Sequence, residues 1–154
     1  MRRRPNHDYK PEWDFTLRSK PLVSVKQEVL RITGTIQDIA DLLGLGPVSF
    51  HYADLSEQDH LARYVNGTND APVVILDDRG IERAAKAGRV PLSVAVETTL
   101  VHEMGHAYVD SVGLSGEMDD EENVVEGAAR FFYETHAADS TARYIRDTVD
   151  AYLD

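Results

Sequence analysis

Residues 91–112 predict a helix that is apolar on nearly every face. Pro91 and Ser93 both favour a helix start, and Gly113 favours a helix end. A helix that is apolar all round is buried, so the rest of this 154-residue chain must fold around it. The apolar side chains of the segment are Val94, Val96, Leu100, Val101, Met104, Ala107, Tyr108, Val109 and Val112.

Inside this helix, residues 102–106 read His-Glu-Met-Gly-His. Residues four apart lie on one face of a helix, so His102 and His106 can direct two imidazole nitrogens at one point. An unpartnered polar group is costly in a buried helix. Two core histidines bonded to backbone are the alternative, but the spacing beside Glu103 favours a metal. Imidazole and carboxylate ligands with an open position favour one Zn²⁺ ion, although other divalent metals can occupy such sites.

Glu103 is the predicted general base, because it adjoins the first histidine on a helix with little surface for an ordinary ion pair. A carboxylate there would accept a proton from water whose pKa a metal has lowered.

The third metal ligand is expected from residues that follow the motif. Glu126 is our prediction, because it lies at the height of His106 in an antiparallel helix pair and among apolar neighbours. Glu122, one turn nearer the loop, is the alternative, although Glu121 and Glu122 are also typical of solvated acids in a first helical turn. The wider candidate set is Asp110, Asp119, Asp120, Glu121, Glu122, Glu126 and His136.

Weaker patterns mark the supporting residues. Asp110, four residues beyond His106, is a candidate to orient a ligand, with a surface role as the alternative. Tyr133 and His136, together with Tyr108, are candidates to donate a hydrogen bond to an oxyanion, with core or surface roles as the alternative.

The remaining pattern predicts an α+β fold with a small mixed or antiparallel sheet. Turn residues 66–70 separate two of the strands and indicate a hairpin. Residues 1–21 form an extended arm that we expect to be solvated, and 22–154 form one domain. The predicted helices are 22–43, 81–87, 120–138 and 140–153, and the predicted strands are 48–53, 62–65 and 73–76.

Composition excludes several classes of function. The net charge of −11 disfavours nucleic acid and anionic membranes as partners, although residues 1–20 carry six basic and three acidic side chains. The absence of cysteine excludes disulfides and thiolate ligands. No apolar run resembles a secretory signal or reaches the length of a membrane span, which favours a cytoplasmic location.

Residues 99–107, Thr-Leu-Val-His-Glu-Met-Gly-His-Ala, resemble the active-site helix of zincin metallopeptidases. Residues 126–130, Glu-Gly-Ala-Ala-Arg, resemble the glutamate helix of the gluzincin branch, and the small size is similar to minimal gluzincins and ImmA/IrrE-type metallopeptidase domains. The resemblance covers roughly residues 48–138. It implies zinc bound by His102, His106 and a downstream glutamate, with Glu103 as the base.

The resemblance also implies a sheet edge that pairs with an extended peptide beside the cleft, and we expect strand 73–76 to be that edge. The third histidine of metzincins is absent after Gly113. Many gluzincins have an acidic residue four positions after the third ligand, where this chain has Arg130 if that ligand is Glu126. No helix-turn-helix segment is evident.

These patterns together predict a zinc metallopeptidase, an endopeptidase rather than an exopeptidase, acting on a peptide or protein substrate. No pattern indicates a regulatory partner. The competing hypothesis is a latent or non-catalytic, metal-stabilised binding module, in which the basic arm is a candidate inhibitory segment. An open fourth metal position favours the enzyme, and a fourth protein ligand favours the module. A hydrolase acting on non-peptide substrates has no dedicated signal.

Overall fold

The computed structural model describes residues 16–67 and 71–153, which form an α+β fold of five α-helices and a small mixed sheet. In chain order the elements are α1 (Val23–Leu42), β1 (Ser49–Tyr52), β2 (Ala62–Asn66), β3 (Pro72–Leu76), α2 (Asp78–Gly88), α3 (Leu92–Ser111), α4 (Glu121–Thr135) and α5 (Ala138–Asp150), with short 3₁₀ turns at Ser56–Gln58 and Ala151–Leu153. These bounds confirm the predicted elements to within a few residues.

Helix α3 lies at the centre of the fold, as its apolar sequence predicts. It contacts α1, α2, α4 and α5 as well as the two strands of the hairpin. Most of the side chains that it contributes to the core are completely buried, among them Leu100, Val101 and Met104. Gly113, with φ of +80°, lies just beyond the helix in the left-handed conformation that ends many helices.

The sheet has the strand order β1-β3-β2 among the described residues. β1 runs parallel to β3, and β2 runs antiparallel to it, which confirms the predicted hairpin. The prediction that 73–76 is the edge strand is wrong, because β3 is the central strand. Its run Val-Val-Ile-Leu is typical of a strand buried on both faces, and Val74, Ile75 and Leu76 are fully buried.

Helix α2 begins earlier than its apolar pattern suggests. The Asp77 side chain accepts a hydrogen bond from the Gly80 amide at 3.0 Å and so caps the first turn. Residues 78–80 therefore belong to the helix, which begins three residues before the predicted start at 81. The helix ends at Gly88, one residue beyond the predicted end, and the left-handed residue that follows it is Arg89 rather than the glycine.

The described end of the N-terminal arm contacts the body of the protein, in contrast to the expected solvated arm. Leu17 bridges Ala53 in an antiparallel sense beyond β1. The Arg18 guanidinium bonds to Asp78, whose side chain is fully buried, and the Leu22 amide donates to the same carboxylate at 2.6 Å. The ion pair with the buried Asp78 carboxylate therefore holds residues 16–22 against α2. Residues 1–15, which include the rest of the basic arm, lie outside the described residues.

Within residues 16–67 and 71–153, no helix combines the length and the apolarity that crossing a membrane requires.

Candidate metal centre

Helix α3 places the two histidines of the motif side by side at the surface of the core. The centroids of the His102 and His106 rings are 4.8 Å apart, and the rings meet edge to face at 73°. Each side chain is about one quarter exposed or less, at 26% and 20%. Both side chains are therefore largely buried but keep some access to solvent.

Helix α4 brings the Glu122 carboxylate to the accessible nitrogens of both rings. Its Oε1 atom lies 3.2 Å from His102 Nε2, and its Oε2 atom lies 3.1 Å from His106 Nε2. The three side chains form a group whose candidate ligand atoms all lie within 4.8 Å of one another. Glu122 is in the first turn of α4, where the helix dipole favours negative charge.

Gly105 of the motif allows α4 to approach α3 this closely. A Cβ atom at position 105 would lie 2.6 Å from Val125 Cγ1 and 3.1 Å from Val125 Cβ, far inside ordinary contact distance. Val125 is 1% exposed and stiff at χ1, so it has little room to move away. The glycine between the two histidines is therefore needed for packing, and this packing places the first turn of α4 beside the imidazoles.

The three side chains carry imidazole and carboxylate groups, which are among the donor types that bind zinc. Tetrahedral zinc with bonds of about 2.0–2.1 Å separates its ligand atoms by roughly 3.3–3.4 Å. The two Nε2 atoms lie 3.1 and 3.2 Å from different oxygens of Glu122, and these are also ordinary hydrogen-bond distances. The three side chains could therefore hold a metal ion, and no distance among them singles out zinc.

The other nitrogen of each ring faces a second carboxylate. His106 Nδ1 lies 2.5 Å from Glu121 Oε2, and His102 Nδ1 lies 3.4 Å from Glu103 Oε2. An ionised carboxylate only accepts hydrogen bonds, so a hydrogen bond at either of these contacts requires a proton on the facing Nδ1 atom. Such carboxylate partners are typical of histidines that bind metals.

The negative charge around the rings favours a positive group there. Burial lowers the pKa of His102, but the carboxylates of Glu103 and Glu122 outweigh that effect, so the pKa of His102 is raised above its ordinary value. Glu103 itself is 5% exposed and lies deep beside the ring.

Glu126, the predicted third ligand, lies one turn beyond Glu122 and lines the same space as the histidines. The structure groups Glu122, the alternative, with them instead. Helix height and apolar sequence neighbours led to Glu126, which is exposed in the structure. The position around the axis of α4 distinguishes the two residues. Relative to Val125, which faces α3, Glu122 is rotated by roughly 60° and Glu126 by about 100°. The identity of the third ligand therefore remains a prediction.

Glu121 belongs to the wider candidate set from the sequence, but its position favoured a solvated role. Its interpretation as a solvated first-turn acid is wrong, since its side chain is 19% exposed and contacts His106. The charge pattern explains a helix start equally well, so only its adjacency to Glu122 pointed toward the site.

A large cleft runs along the two histidines. It has a volume of about 1160 Å³ and lies between β2, with the residues just before it, and the facing surfaces of α3 and α4. This volume is at the upper limit of small-molecule pockets, which typically reach about 1,000 Å³. All of β2, the true edge strand on this side, lines the cleft, together with Glu103, Glu122 and Glu126.

The remaining predicted residues have diverse positions. Tyr133 lines the cleft and is 49% exposed. His136 adopts a left-handed conformation at the end of α4, and its ring stacks on Phe132 at 5.7 Å. Tyr108 donates to Asp150 at 2.6 Å, which leaves it engaged with α5. Asp110 contacts β2 rather than a histidine ring.

Comparisons with protein-family models, with curated proteins and with solved structures find no match to this chain.

Proposed function

We propose that this protein is a zinc-dependent metallopeptidase in which His102, His106 and Glu122 hold the metal. The observation that carries the proposal is the convergence of both Nε2 atoms on one carboxylate, at 3.1 and 3.2 Å, inside a cleft bordered by an edge strand. When bound, zinc supplies a Lewis acid that polarises a peptide carbonyl and lowers the pKa of a coordinated water to about 7.

The choice of Glu122 removes a difficulty in the resemblance to gluzincins. If Glu126 were the ligand, the residue four positions later would be the cation Arg130. If Glu122 is the ligand, the residue four positions later is Glu126, which agrees with the acidic residue of that family. Both residues lie on the wall of the cleft.

The protein's own residues would share the chemical steps as follows. Glu103, buried beside His102, accepts a proton from the attacking water and passes it to the leaving amine. Glu121 holds the His106 ring through Nδ1. Strand β2 offers a sheet edge along which an extended peptide can pair, which places a scissile bond beside the histidines.

A first experiment tests the metal. Purified protein stripped with chelator and then titrated with Zn²⁺ is expected to bind one equivalent, and His102→Ala should abolish that binding. Glu122→Gln should weaken zinc binding by at least about tenfold, as loss of a ligand implies, and Glu126→Gln should weaken it less. Glu134→Gln, on an exposed part of the same helix, is the matched control. A wild-type protein without stoichiometric zinc would overturn the proposal.

A second experiment tests the reaction. A mixed peptide library is incubated with the zinc-loaded protein, and cleavage products are identified by mass spectrometry. Glu103→Gln should retain zinc and lose cleavage by about a hundredfold or more, because a general base contributes 10²–10⁴-fold. Cleavage that survives in this variant would assign the activity to another group or to a contaminant.

The position of Glu126 favours the competing function, a metal-stabilised binding module. It lies one turn from Glu122 on the same cleft wall, so both carboxylates together with the histidines would make four protein ligands. A closed site of that kind is typical of a structural metal and would favour the latent binding module. In that case Glu122→Gln and Glu126→Gln would weaken zinc binding equally, and no peptide would be cleaved.

A further inference from the structure

Asp110 lies on the same face of α3 as the two histidines, one turn beyond His106, yet its carboxylate binds elsewhere. Its Oδ2 atom accepts a hydrogen bond from Asn66 Nδ2 at 3.0 Å and lies 3.1 Å from the Tyr64 hydroxyl. Both partners belong to β2. The contact therefore connects the histidine face of the helix to the edge strand across the cleft.

The two partners are spaced to act together. Tyr64 and Asn66 are two residues apart and so project from the same face of the strand, and the Tyr64 hydroxyl also contacts Asn66 Oδ1. Hydrogen bonds to a charged acceptor are stronger than neutral ones. All three side chains are only partly exposed and line the cleft, so water screens the contact incompletely.

This contact is attached to a strand with one neighbour in the sheet. Within the described chain, β2 pairs with β3 on one side and borders the cleft on the other. The ladder to β3 fixes the register of β2, but it does not by itself fix the distance from β2 to α3. The group around Asp110 connects the two directly, at the end of the strand.

We propose that Asp110 is a positioning residue that ties the edge strand β2 to the helix face bearing the histidines, and thereby sets the width of the cleft for an extended peptide. The part that concerns the peptide rests on the proposed function. This role differs from the one predicted from the sequence, in which Asp110 orients a metal ligand.

The experiment compares Asp110→Ala with the wild type in three measurements. Hydrogen exchange of β2 amides should accelerate about tenfold, which corresponds to about 1.4 kcal/mol of local opening, while β1 amides should change little. Zinc affinity should stay within about twofold. For the best-cleaved library peptide, KM should rise about tenfold while kcat changes much less, because the reacting groups stay in place.

Companion variants separate positioning from general damage. Tyr64→Phe combined with Asn66→Ala should reproduce the effect from the strand side. Asp110→Asn, which keeps an acceptor oxygen for Asn66, should restore most of the β2 protection. Ser111→Ala is the matched control, since the Ser111 hydroxyl bonds only locally to the Tyr108 carbonyl at 2.7 Å in the described chain.

Each outcome decides the proposal. Unchanged exchange of β2 amides in Asp110→Ala would overturn it, and so would a tenfold fall in zinc affinity, which would restore the ligand-orienting role. Equal acceleration in β1 and β2 would reduce Asp110 to a general stabiliser. If the wild type cleaves no peptide, the proposed function fails, while the exchange and zinc measurements still decide whether the tie exists.

Discussion

Replacing Gly105 by alanine tests the packing on which the candidate metal centre depends. A glycine-to-alanine change in a helix interior ordinarily stabilises by about 1 kcal/mol. At this position the new Cβ would lie 2.6 Å from Val125 Cγ1, against an ordinary contact distance of about 3.5–4.0 Å. Relief requires α4 to shift by roughly 1 Å or Val125 to leave its rotamer, and such overpacking costs about 1–3 kcal/mol.

The net expectation for Gly105→Ala is a loss of about 0–2 kcal/mol in unfolding free energy, with a clear effect on metal binding. A shift of about 1 Å in α4 carries Glu122 out of ligand distance, since metal sites tolerate only about 0.2 Å. Zinc affinity should therefore fall at least about tenfold. Urea unfolding of the metal-free protein gives the first quantity, and competition with a chelating dye gives the second.

Two variants make the test quantitative. Gly34→Ala lies in α1, where an added Cβ meets nothing within 4 Å, so it should stabilise by about 1 kcal/mol and leave zinc affinity unchanged. Adding Val125→Ala to Gly105→Ala removes the opposing methyl groups and should recover about 1–3 kcal/mol as a coupling energy. If Gly105→Ala stabilises as much as Gly34→Ala and binds zinc normally, the close-approach explanation is refuted.

Three further results are expected. Glu121→Gln should lower zinc affinity about 10–100-fold, because its carboxylate orients His106 through Nδ1. The metal-free protein should lose stability as pH rises from about 6.5 through the raised pKa of His102, since the protonated ring contributes stability only below that range; thermal unfolding against pH, compared with His102→Gln, measures this. Arg18→Ala should destabilise by about 3 kcal/mol, because it leaves the carboxylate of the fully buried Asp78 without its cation, and urea unfolding measures the loss.

Each of these expectations has a control. Glu134→Gln should leave zinc affinity unchanged, and equal losses in the two glutamine variants would mean a general charge effect rather than orientation of a ring. A pH dependence that persists in His102→Gln would assign it to another group. Lys86→Ala, which breaks a highly exposed ion pair with Glu82, should cost at most about 0.5 kcal/mol; a comparable cost for Arg18→Ala would show that its ion pair is unimportant.

Sequence patterns predict the helices of this protein well because their apolar faces are long and regular. The run from Leu92 to Ser111 is bounded by residues with clear start and stop chemistry. The unbroken apolar run of β3 is typical of a central strand. We nevertheless expected an edge strand, because strand order depends on contacts between distant segments. A pattern of single residues indicates that a strand exists more readily than which neighbours it has.

The candidate site is likewise only partly predictable from local sequence patterns. His102 and His106 are fixed relative to each other by one helix, so spacing alone brings them together. The carboxylate comes from a different helix, and its identity depends on rotation about that helix and on the approach that Gly105 permits. Asp110 likewise lies on the histidine face of α3. Its partners Asn66 and Tyr64, however, are on β2, 44 and 46 residues away in sequence.

The start of α4 has a consequence for kinetics. The side chain of Asp120, the residue that precedes it, makes no capping hydrogen bond within the described chain, and its carboxylate instead accepts a hydrogen bond from the hydroxyl of the half-exposed Tyr152. Gly113 and Gly116, both at φ of +80°, lie in the loop before it. His102 and His106 are thus held by the buried helix α3, whereas Glu121 and Glu122 are in the first turn of α4, which can fray. A metal held between them would exchange at the rate at which this turn opens, without global unfolding.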